Sequence, residues 1–288
     1  MFGLSYWFLP AFAGTVWLGT LLGMLAYWLS VGSPHYESMG ANQRVAYISD
    51  IGATFLQPLF IAGSTTMVVV FDLAFVSERW LRHKARLTPT YSKIEASLSV
   101  GAIFFAIIGA AGLILLSIFD TRSYPRAHDA FLGVFVLAYV VSAIFICAEY
   151  QRLGIHFREY RTLRISFWIK LAFIFIEIAL AVAFGVTQLY SEYNISAYLE
   201  WIVSLVYIFY VWSFIIDFLP ATKTRRPENR FPAIKKSRDP EAQRTQADGS
   251  MTGGPVYSNG GYSNGANSFA SQPMGETGRR YEPPSRNF

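Results

Sequence analysis

Apolar residues dominate six long stretches, at about residues 4–30, 54–76, 98–119, 130–148, 166–190 and 198–219, and polar residues gather between them. A hydrocarbon core ~30 Å thick takes roughly 20 apolar residues of helix to cross, and each stretch reaches or approaches that length. Backbone N–H and C=O groups find no water inside lipid, so stretches of this kind are predicted to be helices. The expected fold is all-α: a polytopic transmembrane six-helix bundle over residues 1–219, then a tail at 220–288. The longest connection, about 31–53, is too short to fold independently. The tail starts basic and becomes Gly/Ser/Asn-rich, with the near-repeat Tyr257-Ser-Asn-Gly-Gly and Tyr262-Ser-Asn-Gly-Ala. Such a composition buries too little apolar surface to offset the entropy of ordering, and disorder is predicted there.

Charge orients the bundle. Only 15% of residues are charged, against about 25% in an ordinary soluble domain. The second loop carries Arg79, Arg82, Lys84, Arg86 and Lys93, the fourth carries Arg152, Arg158, Arg161 and Arg164, and the tail holds eleven more basic residues. The alternate side has only Arg44, Arg122 and Arg126. Cytoplasmic loops hold the Lys/Arg excess, so both termini are expected in the cytosol. The net charge of +5 then points to anionic inner-leaflet lipid rather than nucleic acid. Arg79, Arg82, Lys84, Arg86, Lys223, Arg225, Arg226, Lys235 and Lys236 are the expected contacts, at about 1 kcal/mol each.

Several single features add expectations. The first stretch is too long for a signal-peptide core and has no charged start, so it is expected to remain as an anchor. Pro10 is expected to bend the first helix near its cytosolic end. Cys147, the only cysteine, excludes an intramolecular disulfide; it reads as a small packing residue, with palmitoylation as the alternative. Ala102, Ala106 and Ala110, and Ala181 with Gly185, form small-residue faces for close helix packing or, alternatively, a homodimer.

Ionisable groups in lipid need a partner, an interface or a task. Asp72, Glu149 and Asp217 fall at the cytosolic ends of helices and read as hydrated or paired with the basic loops. Lys170 is expected to snorkel to the same interface, with Glu149 as a partner. Glu177 falls near mid-membrane, as a hydrogen-bonded acid or one with a lipid-headgroup or proton-linked role, and Glu200 near the outer surface. His35, Asp50, Asp120, His128 and Asp129 collect in the outer loops. If the chain is catalytic, Ser49, Asp50, Asp120 and His128 are the candidates. No fixed ligand spacing supports a metal centre, nothing resembles a cofactor site, and solvated loop residues are the plainer reading. Asn194-Ile195-Ser196 is a glycosylation sequon crowded between two helices.

Certain segments resemble the FRAG/DRAM/SFK family of six-helix membrane proteins, also described as a CWH-type N-terminal domain. They are Trp17-Leu-Gly-Thr-Leu-Leu-Gly, Ala46-Tyr-Ile-Ser-Asp-Ile-Gly, Leu116-Ser-Ile-Phe-Asp-Thr with His128-Asp129, Ser142-Ala-Ile-Phe-Ile-Cys-Ala-Glu-Tyr-Gln, Leu163-Arg-Ile-Ser-Phe-Trp-Ile-Lys and Glu200-Trp-Ile. The resemblance covers roughly residues 1–220 and is nearest the fungal suppressor-of-four-kinase type. It implies a non-enzymatic plasma-membrane protein that supports a phosphatidylinositol 4-kinase complex and lipid organisation. Other members imply glycosylphosphatidylinositol-anchor lipid remodelling, or autophagy modulation from lysosomal or vacuolar membranes; residence in the endoplasmic reticulum or Golgi also stays open, as does the oligomeric state.

Overall fold

The computed structural model describes residues 5–90, 92–224 and 230–231. Within them lie eight helices and no strand: α1 (Phe8–Ser30), α2 (Ile48–Gly52), α3 (Gln57–His83), α4 (Lys93–Ile118), α5 (Pro125–His156), α6 (Arg161–Leu189), α7 (Tyr193–Ser213) and α8 (Ile215–Lys223). Six are long and apolar enough to cross a membrane, with α7 and α8 together forming the sixth span. The protein is an integral membrane protein.

The helices outrun the apolar stretches. α3 continues to His83 and α5 to His156, because a helix that has left the hydrocarbon keeps its backbone bonds while its side chains turn polar. α8 likewise carries Pro220 within it, so residues 220–223 complete the last span rather than opening the tail. Phe231, within the expected tail, is held to the bundle, its N–H donating to Ala85 O at 3.0 Å and its ring edge-on against Tyr160. Arg225, Arg226, Lys235, Lys236 and the Gly/Ser/Asn-rich part lie outside the described residues. Pro10 falls in the first turn of α1, where no intrahelical N–H bond is required, so it is no mid-helix kink.

Three helices stop by the same device. Gly32, Ala85 and Ser191 adopt positive φ of 85°, 54° and 60°. The next N–H in each case reaches back to a carbonyl five residues earlier: Ser33 to Trp28, Arg86 to Leu81 and Glu192 to Thr187. This left-handed closure satisfies carbonyls that a helix end leaves open. At the start of α4, Ser92 and Glu95 form a capping box, while Pro58 and Pro125 occupy first-turn positions of α3 and α5.

Each span packs on its neighbour in sequence, and α7 closes the ring against α1. Leu22, Leu73, Phe104, Leu137, Phe175 and Phe209 remain exposed on the outside, as expected of helices that are apolar all round and face lipid. Aromatic rings fill the middle: Phe71 packs edge-on against Phe214, Tyr210 and Tyr207. The tightest seam joins α4 to α5. Ala102, Ala106 and Ala110 are buried there, and Ser142 Oγ donates to Ala102 O at 2.8 Å. That small-residue face is therefore used within the chain.

At the same seam a Cβ on Gly112 would lie 2.8 Å from the Phe135 backbone N. Backbone cannot swing aside as a side chain can. Gly112→Ala is expected to part α4 from α5 at a cost of roughly 1–3 kcal/mol, read as a lower unfolding midpoint in detergent. Gly133→Ala, with nothing within 4 Å, is the matched control and should leave it unchanged.

Candidate functional site

The end of the bundle where α1 begins and α8 finishes encloses a set of buried ionic and polar side chains. Glu78, Arg82, Glu149, Tyr150, Ser166, Lys170 and Asp217 are each at most 7% exposed and come from α3, α5, α6 and α8. Arg82 donates to Glu78 Oε1 through Nη2 at 2.7 Å and Nε at 3.3 Å, and to Thr88 Oγ1 at 2.9 Å. The same Glu78 oxygen accepts the Tyr150 hydroxyl at 2.6 Å. Lys170 pairs with Asp217 and donates to Ser166 Oγ at 2.6 Å. The Tyr150 ring joins the two pairs, with Arg82 5.3 Å and Lys170 4.7 Å from its centroid. Phe214 covers Lys170 at 4.1 Å.

Three expectations change here. Lys170 does not snorkel: it is fully buried, and its partner is Asp217 rather than Glu149. Glu149 instead lies 3.7 Å from Arg82 Nε, with that carboxylate oxygen buried and without a hydrogen bond. Arg82, expected against lipid headgroups, is buried at 3% exposure because α3 extends far enough to carry it into the bundle. Glu78 carries no mark in the apolar pattern, and Tyr150 stands only within the segment that begins at Ser142. The four-residue spacing of Glu78 and Arg82 on one helix face was the available signal.

Around this core the same end is basic and accessible. Lys84, Lys93, Arg152, Arg158, Arg161, Arg164 and Lys223 are exposed. Arg79 and Arg86 are half-buried, bonded to Thr90 Oγ1 at 2.6 Å and Ala221 O at 2.7 Å. Cys147 is buried in the core, which supports packing rather than acylation. Asp72 accepts the Tyr139 hydroxyl at 3.3 Å and is thus tied to α5 rather than to the basic loops.

At the opposite end the first connection is stitched to α7. Glu200 Oε2 accepts the Ile48 N–H at 2.7 Å, Trp201 Nε1 donates to Ala46 O at 3.0 Å, and Asn194 Oδ1 accepts the Arg44 N–H at 2.6 Å. The sequon amide is thereby engaged with loop backbone. Tyr47 is packed into the same place, and burial pushes its phenol up to about 12. It stays neutral.

The four catalytic candidates are not gathered. Asp50 accepts from Ser38 Oγ at 2.6 Å, Gln43 Nε2 at 3.2 Å and the Tyr47 N–H at 3.0 Å. Asp120 closes its own turn through the Arg122 and Ser123 N–H groups. His128 Nδ1 lies 2.9 Å from both Leu116 O and Phe119 O; two carbonyl acceptors require Nδ1 to carry the proton, so the ring caps the end of α4. Ser49 sits on α2 beside Glu200. His35 Nε2 meets Gly40 O at 3.0 Å, and Asp129 is exposed. Among the described residues no cluster of His, Cys, Asp and Glu fits a metal ion.

Between the two ends lies a cavity of about 370 Å³ bounded mainly by α5, α6 and α7. The buried residues of α6 are Leu163, Ser166, Lys170 and Ile174, all in its first half. Its second half is at most half-buried, and the cavity lies along it. Glu177, near the middle of α6, lines it with Ala181 and Phe184, facing Tyr139 of α5 and Tyr207 of α7.

Comparison with known proteins agrees with this architecture. The family model for the Frag1/DRAM/Sfk1/Cwh43P N-terminal domain matches residues 5–221. Protein SFK1 of Saccharomyces cerevisiae is 33% identical over 175 residues, which is 51% of this chain and 50% of that protein. Protein sfk1 of Schizosaccharomyces pombe is 29% identical over 220 residues, 76% of this chain and 65% of that protein. The match thus spans half to two thirds of each relative's length. No solved structure matches significantly. With its six membrane-spanning helices and a domain match from end to end of the bundle, the chain belongs to the Frag1/DRAM/Sfk1/Cwh43 N-terminal-domain family.

Proposed function

We propose that the chain is a non-enzymatic plasma-membrane protein, with cytosolic termini, that organises anionic lipid and supports recruitment of a phosphatidylinositol 4-kinase complex. One observation carries this reading: exposed Lys and Arg side chains crowd the end where α1 begins and α8 finishes, set on a frame whose own charges are buried and internally paired. A basic surface at the headgroup level concentrates anionic lipid, and the sequence beyond Lys223 adds further basic residues. The resemblance to the fungal suppressor-of-four-kinase type favours the same reading, and the chain is similar to SFK1 of S. cerevisiae over about half of each protein. A lipid-remodelling enzyme is favoured less, because Ser49, Asp50, Asp120 and His128 sit in separate bonds rather than facing one reacting centre.

The test replaces Lys223, Arg225, Arg226, Lys235 and Lys236 with Gln together. Kinase complex at the membrane and cellular phosphatidylinositol 4-phosphate should both fall, while abundance and location of the chain itself hold. Unchanged kinase localisation with unchanged phosphoinositide would overturn the role assigned to the tail.

A further inference from the structure

The cavity between α5, α6 and α7 has a chemistry of its own. It runs along α5 from Asp129 to Ala143, about 21 Å at ~1.5 Å per residue. That is deeper than one leaflet of a hydrocarbon core ~30 Å thick. Its walls carry Asp129 and Glu200 toward one end and Glu177 near mid-depth, and no Lys, Arg or His lines it. Aromatic rings flank the carboxyl groups, among them Tyr139, Tyr207 and Tyr210. Inside the cavity, Glu177 Oε1 is shut away from solvent without a hydrogen-bond partner.

Acidic groups among aromatic faces, with no cation present, suit an ammonium ion, which gains from ring quadrupoles and from a carboxylate at once. Most of the remaining wall is aliphatic and suits a hydrocarbon tail. A phosphate would meet three acidic side chains and no basic one, so phosphate-bearing headgroups are disfavoured. We propose that this cavity is a binding site for a phosphate-free, single-chain lipophilic amine, with its amino group on Glu177 and its tail along α5. Amine and carboxyl share one proton between them, so the pair enters the low-dielectric interior with no net charge. Glu177 then has a partner, as an acid at this depth needs. The proposal goes beyond the basic-face reading and stands whether or not that reading holds.

The probe is a photoactivatable analogue of octadecylamine, applied to the full chain in phosphatidylcholine nanodiscs, with labelled positions mapped by mass spectrometry. Label is expected on the cavity-facing segments of α5, α6 and α7. Unlabelled octadecylamine should displace it at least about tenfold more effectively than octadecanol or octadecanoic acid, which share its tail. Glu177→Gln should reduce the amine to the level of the alcohol. Equal competition by octadecanol, competition by phosphatidylethanolamine matching that of octadecylamine, or label elsewhere on the chain would overturn the proposal. Undiminished amine preference in Glu177→Gln would do so as well. If that variant misfolds, competition on the unaltered chain decides by itself.

Discussion

Lys170→Met should destabilise the bundle by about 3–5 kcal/mol, the cost of leaving a buried charge without its partner. Lys170 is fully buried and its ion pair with Asp217 joins α6 to α8, so the substitution strands a carboxylate where water cannot reach it. Asp217→Leu alone strands the ammonium and should cost a similar amount. The double variant Lys170→Met/Asp217→Leu removes both charges at once and should recover most of the loss, because a buried pair is often matched by apolar side chains of like size. Equilibrium unfolding in mixed micelles reads all three. Additive losses in the double variant would mean that the two groups do not act as a pair. The Arg122–Glu37 bridge provides the contrast: its contact is 2.7 Å, but its side chains are 61% and 77% exposed. Removing it should cost under ~1 kcal/mol.

Neutralising the exposed basic residues should act on lipid preference and leave stability alone. Lys84, Lys93, Arg158, Arg161, Arg164 and Lys223 stand clear of the buried ion pairs. At up to ~1 kcal/mol per basic side chain near the surface, replacing all six with Gln should lower phosphatidylserine retention over phosphatidylcholine by about tenfold or more. Native mass spectrometry of chain purified with a defined mixture of the two lipids measures it. The wild-type preference should shrink as salt rises, since these charges face solvent. Gln at Arg44, Arg122 and Arg126 at the opposite end should change little. Equal losses from the two ends would remove the sidedness on which the proposed function depends.

The spans were legible because hydrophobicity over about 20 residues reports the lipid crossing directly. Their ends were not. Glu78 and Arg82 read as loop residues when only apolar length is counted, although they belong to α3 and anchor the buried cluster. The Lys170–Asp217 pair joins residues 47 apart in sequence, and that depends on how the ring of helices closes. Glu177 is legible as an acid at mid-membrane, but the cavity around it depends on how α5, α6 and α7 pack together, and no local pattern marks that. The outer acids and histidines gave the opposite lesson. Close in sequence pattern, Asp50, Asp120 and His128 are each consumed by nearby backbone or loop groups, as short polar side chains beside helix ends commonly are.

The most direct measurement deletes the gene and quantifies, in the same cells, phosphatidylinositol 4-phosphate and the lipids of glycosylphosphatidylinositol-anchored proteins. The proposed function entails a fall in phosphatidylinositol 4-phosphate with anchor lipids unchanged, restored by the wild-type chain and by Asp50→Asn or His128→Ala forms that still fold. Altered anchor lipids with normal phosphatidylinositol 4-phosphate, lost again in those two variants, would contradict it and point to chemistry at the outer end.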